Sequence, residues 1–400
     1  MLETIREGRA VIRIKKSDKV SKEMEVFYNP VMKNNRDISV LLLNCAENKN
    51  MQIGLPLEAS GIRGIRLLKE LDAGKIKSIS FNDYDAKAVR SIKNNLMLSN
   101  IKKFTIIKNT INKNFANNLK KIKDNDYNWG GRDKKIEIHN EDASLFLLNS
   151  SGFDYIDVDP FGSSNPFLDA AIKRISRNGI LAVTNTDTAA LTGTYPDACI
   201  RKYWAAPRRD YMMHETGLRI LIRKIQLIGM QYEKALIPIF SYFKEHYFRA
   251  FFRCVKGKKE VDKIWLQHGM LNGAGPLWLG ELWDRDLANK MHGALLKNNI
   301  KKNNNYNNDN KNMAQINNFL YDGGLLKFLN AIKEESKLNI AGFYDIHDSA
   351  EKLKLKTIPK KEEIIKKIIE AGHKAASTHF SGTCIRTDIS YGAFIGILKE

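Results

Sequence analysis

The sequence predicts an α/β protein: an open, mostly parallel sheet of the Rossmann-like, nucleotide-binding kind, followed by a smaller α+β domain. Three observations predict it. From Met51 onward, short apolar strands alternate with amphipathic helices, the pattern of βαβ units. Successive strands end on acids, at Glu58, Asp83 and Asp142, and a fourth, Phe153-Asp-Tyr-Ile-Asp157-Val, carries Asp159 at its own carboxyl end. Open α/β sheets bind ligands at those ends. Finally, Lys234 to Ser241 and His246 to Val255 are β-rich runs joined only by Tyr242-Phe243-Lys244-Glu245, so the sheet closes on an antiparallel pair.

Four hundred residues exceed what one core organises, and 43% hydrophobic residues can fill two. The composition changes at Lys256, which sets the expected domains at 1–255 and 256–400. Lys and Arg number 65 against 45 acidic residues, a formal charge of +20. Such an excess concentrates polyanions and points to nucleic acid or an anionic surface, although part of it is Lys scattered among Asn. No run is long and apolar enough to span a bilayer, and Met1-Leu-Glu-Thr-Ile-Arg-Glu lacks a signal peptide's apolar region. The expectation is a soluble, cytoplasmic protein with no membrane association and no obligatory protein partner. Cys45, Cys199, Cys254 and Cys384 lie far apart without a Cys-x-x-Cys, and the eight histidines lack ligand spacing, so no metal is expected.

In chain order, Glu7-Gly8-Arg-Ala-Val-Ile-Arg-Ile14 alternates like a strand pair. Phe27-Tyr28-Asn29-Pro30 is a loop, and the periodic run after it is a helix with Arg36 near its start. A cation there opposes the helix dipole unless it serves a ligand; the alternative is a solvated surface charge. Strand Gln52 to Glu58 leads through Ala59-Ser60-Gly61-Ile62-Arg63-Gly64 to a helix, and strand Ser78 to Asp83 to a helix over Ala86 to Leu98. A small-residue loop lets backbone approach a cofactor, and an acid after the second strand binds ribose hydroxyls. The loop is not Gly-x-Gly-x-x-Gly; its shape suits S-adenosylmethionine enzymes better. Asp83 and Asp142 read alternatively as helix caps. Thr110 to Lys135, rich in Asn and Lys, is expected to be a surface excursion.

Pro160-Phe161-Gly162 ends the strand that bears Asp159. Asp-Pro-Phe resembles the Asp/Asn-Pro-Pro-Tyr/Phe signature of enzymes that methylate planar amino nitrogens. An exocyclic base amine is a poor nucleophile, and a carboxylate with a backbone carbonyl can orient it while an aromatic ring stacks on the base. The plain alternative makes Asp159 a helix cap and buries Phe161 in the core. Ser163 and Ser164 either bind substrate phosphate or cap the next helix, Pro166 to Ile175. Between Ala198 and Gly229, Arg201-Lys-Tyr203-Trp204 and Pro207-Arg208-Arg209 interleave aromatics with cations, which suits phosphates and stacked bases. Beyond residue 256, Lys297 to Asn318 is nearly all Asn and Lys and reads as a mobile loop. Pro359 to Ala371 sets Ile364, Ile365, Ile368 and Ile369 on one helix face, and two short strands follow, around Ala375 to Phe380 and Cys384 to Ile389. Helix, helix, strand pair is a winged-helix pattern; it binds nucleic acid or proteins, or serves only as packing.

Taken together, Phe27-Tyr-Asn-Pro with Asn35-Arg-Asp, Ala59-Ser-Gly-Ile-Arg-Gly-Ile-Arg, Asp159-Pro-Phe-Gly, Arg201-Lys-Tyr, His246-Tyr-Phe-Arg-Ala-Phe, Gly275-Pro-Leu-Trp-Leu-Gly and Thr378-His-Phe-Ser-Gly-Thr resemble the tRNA guanine-26 N2-dimethyltransferases of archaea and eukaryotes. The resemblance implies a class I S-adenosylmethionine-dependent methyltransferase domain with a Rossmann-like seven-stranded sheet, and a carboxyl-terminal tRNA-binding domain with a winged-helix-like part. It implies transfer of one or two methyl groups from S-adenosyl-L-methionine to the N2 amine of guanine-26. Arg36, Arg63, Asp83, Asp142 and Ala143 would hold the cofactor, with Arg66 a rival to Arg63. Asp159 would be the catalytic acid, Pro160 would offer its carbonyl, and Phe27 and Phe161 would flank the base. Relatives with paired cysteines before Gly275 suggest a zinc site, for which this chain offers only Cys254. Two rival readings remain: an amino-methyltransferase with another substrate, and a noncatalytic RNA-binding protein on a retired methyltransferase fold.

Overall fold

The computed structural model describes residues 2–15, 26–107, 134–305 and 323–399. An eight-stranded sheet has the order β5-β6-β4-β3-β7-β8-β10-β9. Its strands are β3 (Met51–Leu55), β4 (Ile76–Asn82), β5 (Thr105–Ile107), β6 (Lys135–His139), β7 (Phe153–Val158), β8 (Ile175–Asn185), β9 (Lys234–Lys244) and β10 (Tyr247–Lys256). β3 runs parallel to β4 and β7, β6 parallel to β4 and β5, and β9 antiparallel to β10. Seven strands follow the expected class I arrangement; the eighth, β5, is a three-residue β-branched addition on the parallel edge. The excursion expected over Thr110 to Lys135 lies, up to Asp133, outside the described residues.

The chain packs as two compact units. The first comprises Met1–Phe161 and Phe167–Ala182; the second comprises Gly162–Pro166, Val183–Lys297 and Asp322–Glu400. Residue 256 lies inside the second unit, where α9 (Lys258–Trp265) packs against both β9 and β10.

In the first unit, β1 (Leu2–Glu7) and β2 (Ala10–Lys15) form the expected hairpin, turning through Gly8 at φ 56°. Ala10 and Ile12 alternate inward and are fully buried. Three helices complete this part: α1 (Lys33–Cys45), α2 (Ile62–Glu70) and α3 (Ala86–Leu98). The hairpin edge is pinned to α3 by the Arg13 N–H on Asn95 Oδ1 at 2.8 Å and, just beyond the helix, the Val11 N–H on Ser99 Oγ at 3.0 Å. Ile53, Leu55, Ile79, Phe81, Ile138, Tyr155, Ile156 and Val158 are all buried. Each large apolar side chain removed from water contributes about 1.5–3 kcal/mol, which is what holds the helices on the sheet. α4 (Ala143–Asn149) and α5 (Asn165–Arg174) follow β6 and β7.

In the second unit, α6 (Thr188–Leu191) and α7 (Pro196–Tyr203) precede α8 (Met213–Met230), which is buried around nearly its whole circumference. β11 (His268–Leu271) pairs with β12 (Ala274–Trp278). α10 runs Arg285–Asn305, so the first part of the expected Asn/Lys loop is helical, and the remainder lies outside the described residues. Next come α11 (Gly323–Glu335), β13 (Tyr344–Asp345), α12 (Ile346–Lys352), α13 (Lys361–Glu370), β14 (Ala375–Ser377), β15 (Cys384–Thr387) and α14 (Tyr391–Lys399). The small sheet has order β13-β15-β14, a winged-helix-like arrangement with an added terminal helix. Ile364 and Ile368 enter its core with Ile346, Ile385, Phe394 and Leu398. Ile369 is 53% exposed, because the face one helical turn selects is narrower than the four-isoleucine run.

Candidate active site at the strand ends

The carboxyl ends of β6, β4, β3 and β7 stand side by side and parallel, which brings the loops bearing Asp142, Asp83, Glu58 and Asp159 into one row. Two asparagines stitch the row. Asn82 Nδ2 donates to the Pro56 and Glu141 carbonyls at 3.0 and 3.1 Å, and its Oδ1 accepts the Glu141 N–H at 3.1 Å. Asn140 Nδ2 donates to the carbonyls of Asp83 and Tyr84, each at 2.9 Å.

After β3 the chain passes through Ala59 and Gly61, both left-handed at φ 47° and 79°, into α2. A Cβ on Gly64 would lie 2.2 Å from the Phe81 ring, so only glycine lets α2 approach β4 this closely. Asp83 is buried and holds this loop: its Oδ2 accepts the Ala59 N–H at 2.8 Å and its Oδ1 the Asp85 N–H at 3.0 Å. Burial raises its carboxyl above the usual range, opposed by those backbone donors. The cap of α3 is Asp85, not Asp83. Asp142, in contrast, is exposed and does cap α4, accepting the Ser144 and Leu145 N–H groups at 2.9 and 3.1 Å, while Ala143 beside it is buried.

Arg63 is the hub of an acid cluster. Its Nη1 donates to Ser39 Oγ and Asp157 Oδ2, each at 3.1 Å, and its Nη2 to Asp159 Oδ2. Asp157 and Asp159 both reach it because residues two apart share a strand face. Tyr155 donates to Asp157 at 2.5 Å. Glu58 is buried beside them, its Oε2 without a hydrogen-bond partner among the described residues. Burial pushes the Glu58 carboxyl well above its ordinary range; Arg63 opposes this, and Asp157 and Asp159 add to it.

Arg36 is buried, not solvated. Its Nε and Nη2 grip both Glu7 oxygens at 2.7 and 2.5 Å, and Nη2 also reaches the Asn29 carbonyl at 3.1 Å. The anion that suits a cation at this helix start is therefore Glu7, from the hairpin. Burial alone would raise the Glu7 carboxyl, but Arg36 and Arg66 hold it down to about 2. Arg66 is wholly buried among Glu7, Asp37 and Glu70, at 2.9, 2.6 and 2.8 Å. It belongs to the interior, whereas Arg63 faces the strand ends.

Asp159 caps no helix, and its side chain is 19% exposed. Pro160 is buried behind it. Phe161 is 43% exposed and meets Phe27 edge to face, centroids 4.0 Å apart at 72°. The pair presents an aromatic face rather than a slot, since no ring fits between centroids at that separation.

In the second unit, Gly162 exchanges bonds with Thr186, its N–H on Oγ1 at 2.7 Å and its carbonyl on the Thr186 N–H at 3.0 Å. Ser163 contacts the Tyr203 hydroxyl at 3.1 Å and its Oγ accepts the Asn165 N–H at 3.3 Å at the start of α5, the capping role of the two expected, while Ser164 is fully buried. Tyr203 also donates to Asp187 and accepts from Asn185, each at 3.0 Å.

A cavity of about 540 Å³ lined by Gln52, Ser78, Glu137, His139, Glu141 and Phe153, among others, contains none of the nine expected site residues. Sequence reasoning assigned no role to Asp157, Ser39, Asn82 or Glu7. The Asp157-Val-Asp159 spacing was the available signal for the first; the others are defined only by long-range partners. A strand-end row of loops, a glycine-dependent helix approach and an orphaned buried carboxyl oxygen fit a nucleoside-bearing cofactor.

Residues 8–273 and 268–399 match the model of a family described as N2,N2-dimethylguanosine tRNA methyltransferase. The chain is 36% identical to the tRNA (guanine(26)-N(2))-dimethyltransferase of Pyrococcus horikoshii, with 99% of this chain and 98% of that protein covered. It is 33% identical to the tRNA (guanine(26)-N(2)/guanine(27)-N(2))-dimethyltransferase of Aquifex aeolicus, with 100% and 96% covered. The solved structure of Trm1 from Pyrococcus horikoshii with S-adenosyl-L-methionine superimposes with a TM-score of 0.77 at 34% identity, covering all of both chains.

Proposed function

Because the chain belongs to the N2,N2-dimethylguanosine tRNA methyltransferase family and transfers methyl groups from S-adenosyl-L-methionine to the N2 amine of guanine-26 in tRNA, we propose that Asp159, Pro160 and Phe161 handle the base while the neighbouring strand ends hold the cofactor. The observation that carries this reading is the Arg63 to Asp159 contact beside an exposed Phe161. Arg63 supplies a cation for the cofactor's carboxylate and Arg36, whose guanidinium is also paired with Glu7, a second one; Asp83 offers an acceptor for ribose hydroxyls, and Asp142 with the Ala143 backbone the contacts to adenine. Bound S-adenosylmethionine supplies a sulfonium methyl that is open to nucleophilic attack.

The target guanine is stacked within tRNA and must be turned out, at about a few kcal/mol. Phe161 offers the base a face on which to stack, with Phe27 beside it. Arg63 engages Oδ2 of Asp159, which leaves Oδ1 to accept one N2–H while the Pro160 carbonyl accepts the other. Both acceptors fix the amine's direction and favour the positive charge that develops on it. The proton then passes from the cationic product to water, and a monomethylated amine keeps one N–H for Asp159 in a second round. Residues 256–400 serve tRNA binding through the winged-helix-like part, and the +20 charge of the whole chain supplies the electrostatic attraction. Among the described residues no helix is long and apolar enough to cross a membrane, and we place the enzyme's work in the cytoplasm with its substrate.

The test is methyl transfer from labelled S-adenosylmethionine to matched tRNA transcripts with and without guanine at position 26, using wild type and Asp159→Ala. Guanine-dependent N2-methylguanine and N2,N2-dimethylguanine, reduced about 10²–10³-fold in the variant, is the expected result. Full activity in Asp159→Ala would move the chemistry to another residue.

A further inference from the structure

Trp204 occupies a position that local energetics disfavour. It follows α7 in the left-handed region, φ 58° and ψ 40°, where glycine is the usual residue and a bulky aromatic is rare. Trp204 is 50% exposed, and Lys224 Nζ sits over one face of its ring, 2.9 Å from the centroid. Arg223 fixes the backbone by donating to the Trp204 carbonyl at 3.2 Å.

The surroundings are cationic. Arg201 and Lys202 end α7, and Arg208 and Arg209 follow a few residues on, all exposed. Arg208 is oriented by the Asn272 carbonyl at 2.6 Å and by Asp210 at 3.1 Å. The turn at Gly193 packs on the Arg208–Arg209 backbone, where a Cβ would lie 3.1 Å from the Arg209 nitrogen. Two residues further on, Tyr195 is 63% exposed at the opposite end of α7, roughly 13 Å from Trp204 at 1.5 Å per residue. Asp187 is neutralised by Lys202 at 3.0 Å, which leaves Asp197 as an exposed acid within the patch.

We propose that this face of the second unit is an RNA platform: Trp204 stacks an unpaired nucleotide of the substrate tRNA, and Arg201, Arg208 and Arg209 take the phosphates beside it. The proposal rests on tRNA being the substrate. Cations alone would suit any polyanion; a rigid, half-exposed indole among them selects a strand whose bases are out of the helix. A base turned out of a tRNA junction leaves such neighbours unstacked.

The test uses the full-length protein and a guanine-26 tRNA transcript, with binding read separately from methyl transfer. Trp204→Gly keeps the backbone, since glycine favours this conformation, and is expected to bind tRNA about 5- to 150-fold more weakly while melting no earlier than wild type. Trp204→Phe keeps a stacking ring, so affinity stays within about threefold while the tRNA-induced quench of tryptophan fluorescence is lost. The Arg201→Ala/Arg209→Ala double variant is expected to lower the log–log salt slope of binding by about 2. Wild-type affinity in Trp204→Gly, or an undiminished quench in Trp204→Phe, would overturn the platform. Tight transcript binding by wild type without methylation at guanine-26 would instead overturn the assigned substrate and leave the platform standing on its binding data.

Discussion

Arg63 in the first unit and Arg386 in the second are both buried guanidiniums set among carboxylates, yet their surroundings differ in kind. Arg386 uses all three nitrogens: Glu215 at 2.7 and 3.1 Å, Glu335 at 3.2 Å, and the carbonyls of Ile340 and Gly342 at 2.7 and 3.0 Å. Glu215 is completed by Arg219 and the Gly342 N–H, and Glu335 by His379 at 2.5 Å. Burial would raise the Glu215 carboxyl, but Arg386 and Arg219 bring it down to about 2. Around Arg63 three acids crowd one guanidinium, and one of them, Glu58, is left with an orphaned oxygen and a raised pKa. A closed network specifies packing; a network short of partners marks where a ligand completes it.

Arg386→Met should break the comparison most visibly. It leaves two fully buried carboxylates short of their shared cation, Glu215 keeping Arg219 and the Gly342 N–H and Glu335 keeping His379, and a loss of about 3–5 kcal/mol is expected in urea unfolding. A loss under about 1 kcal/mol would show that the network is not structural. The same change at Arg63 should cost less, about 1–3 kcal/mol, because Asp159 reaches solvent and Asp157 retains Tyr155. Its larger effect should be on cofactor affinity, measured calorimetrically, with a fall of more than about tenfold from losing one charged contact.

Acid should affect both units. The Glu7 and Glu215 carboxyls have folded pKa values of about 2 against an ordinary 4.5. A depressed folded pKa contributes stability that is complete above the unfolded value and vanishes as pH falls through the folded one. These two groups should therefore contribute no slope above about pH 5 and lower the midpoint of unfolding between about pH 5 and 2. The smallest effect is expected at Glu58, where the sign reverses: a raised folded pKa costs stability as pH climbs above the usual carboxylate range. Glu58→Gln, neutral at every pH, should raise the urea midpoint at pH 8 and leave it unchanged at pH 4; a gain at both would locate the effect in packing instead.

The sequence by itself determined what short-range physics encodes. Helix α3 could be bounded at Ala86 and Leu98 because periodicity and turn residues act within a few positions, and the β9–β10 pair because four residues join two β-rich runs. The acids at the strand ends were equally legible, since a strand followed by a breaker fixes where its last side chain stands. Partners were not legible. Arg63 meets Asp159 across 96 residues and Arg386 meets Glu215 across 171, and nothing local to either arginine states which acid will face it. Arg36 looked like a surface charge until the hairpin brought Glu7 to it, and Ile369 looked buried until the width of the helix face was set by what packs there. Tertiary structure alone decided which charges are sealed in pairs and which are left short, because burial removes the solvent that would otherwise satisfy them all.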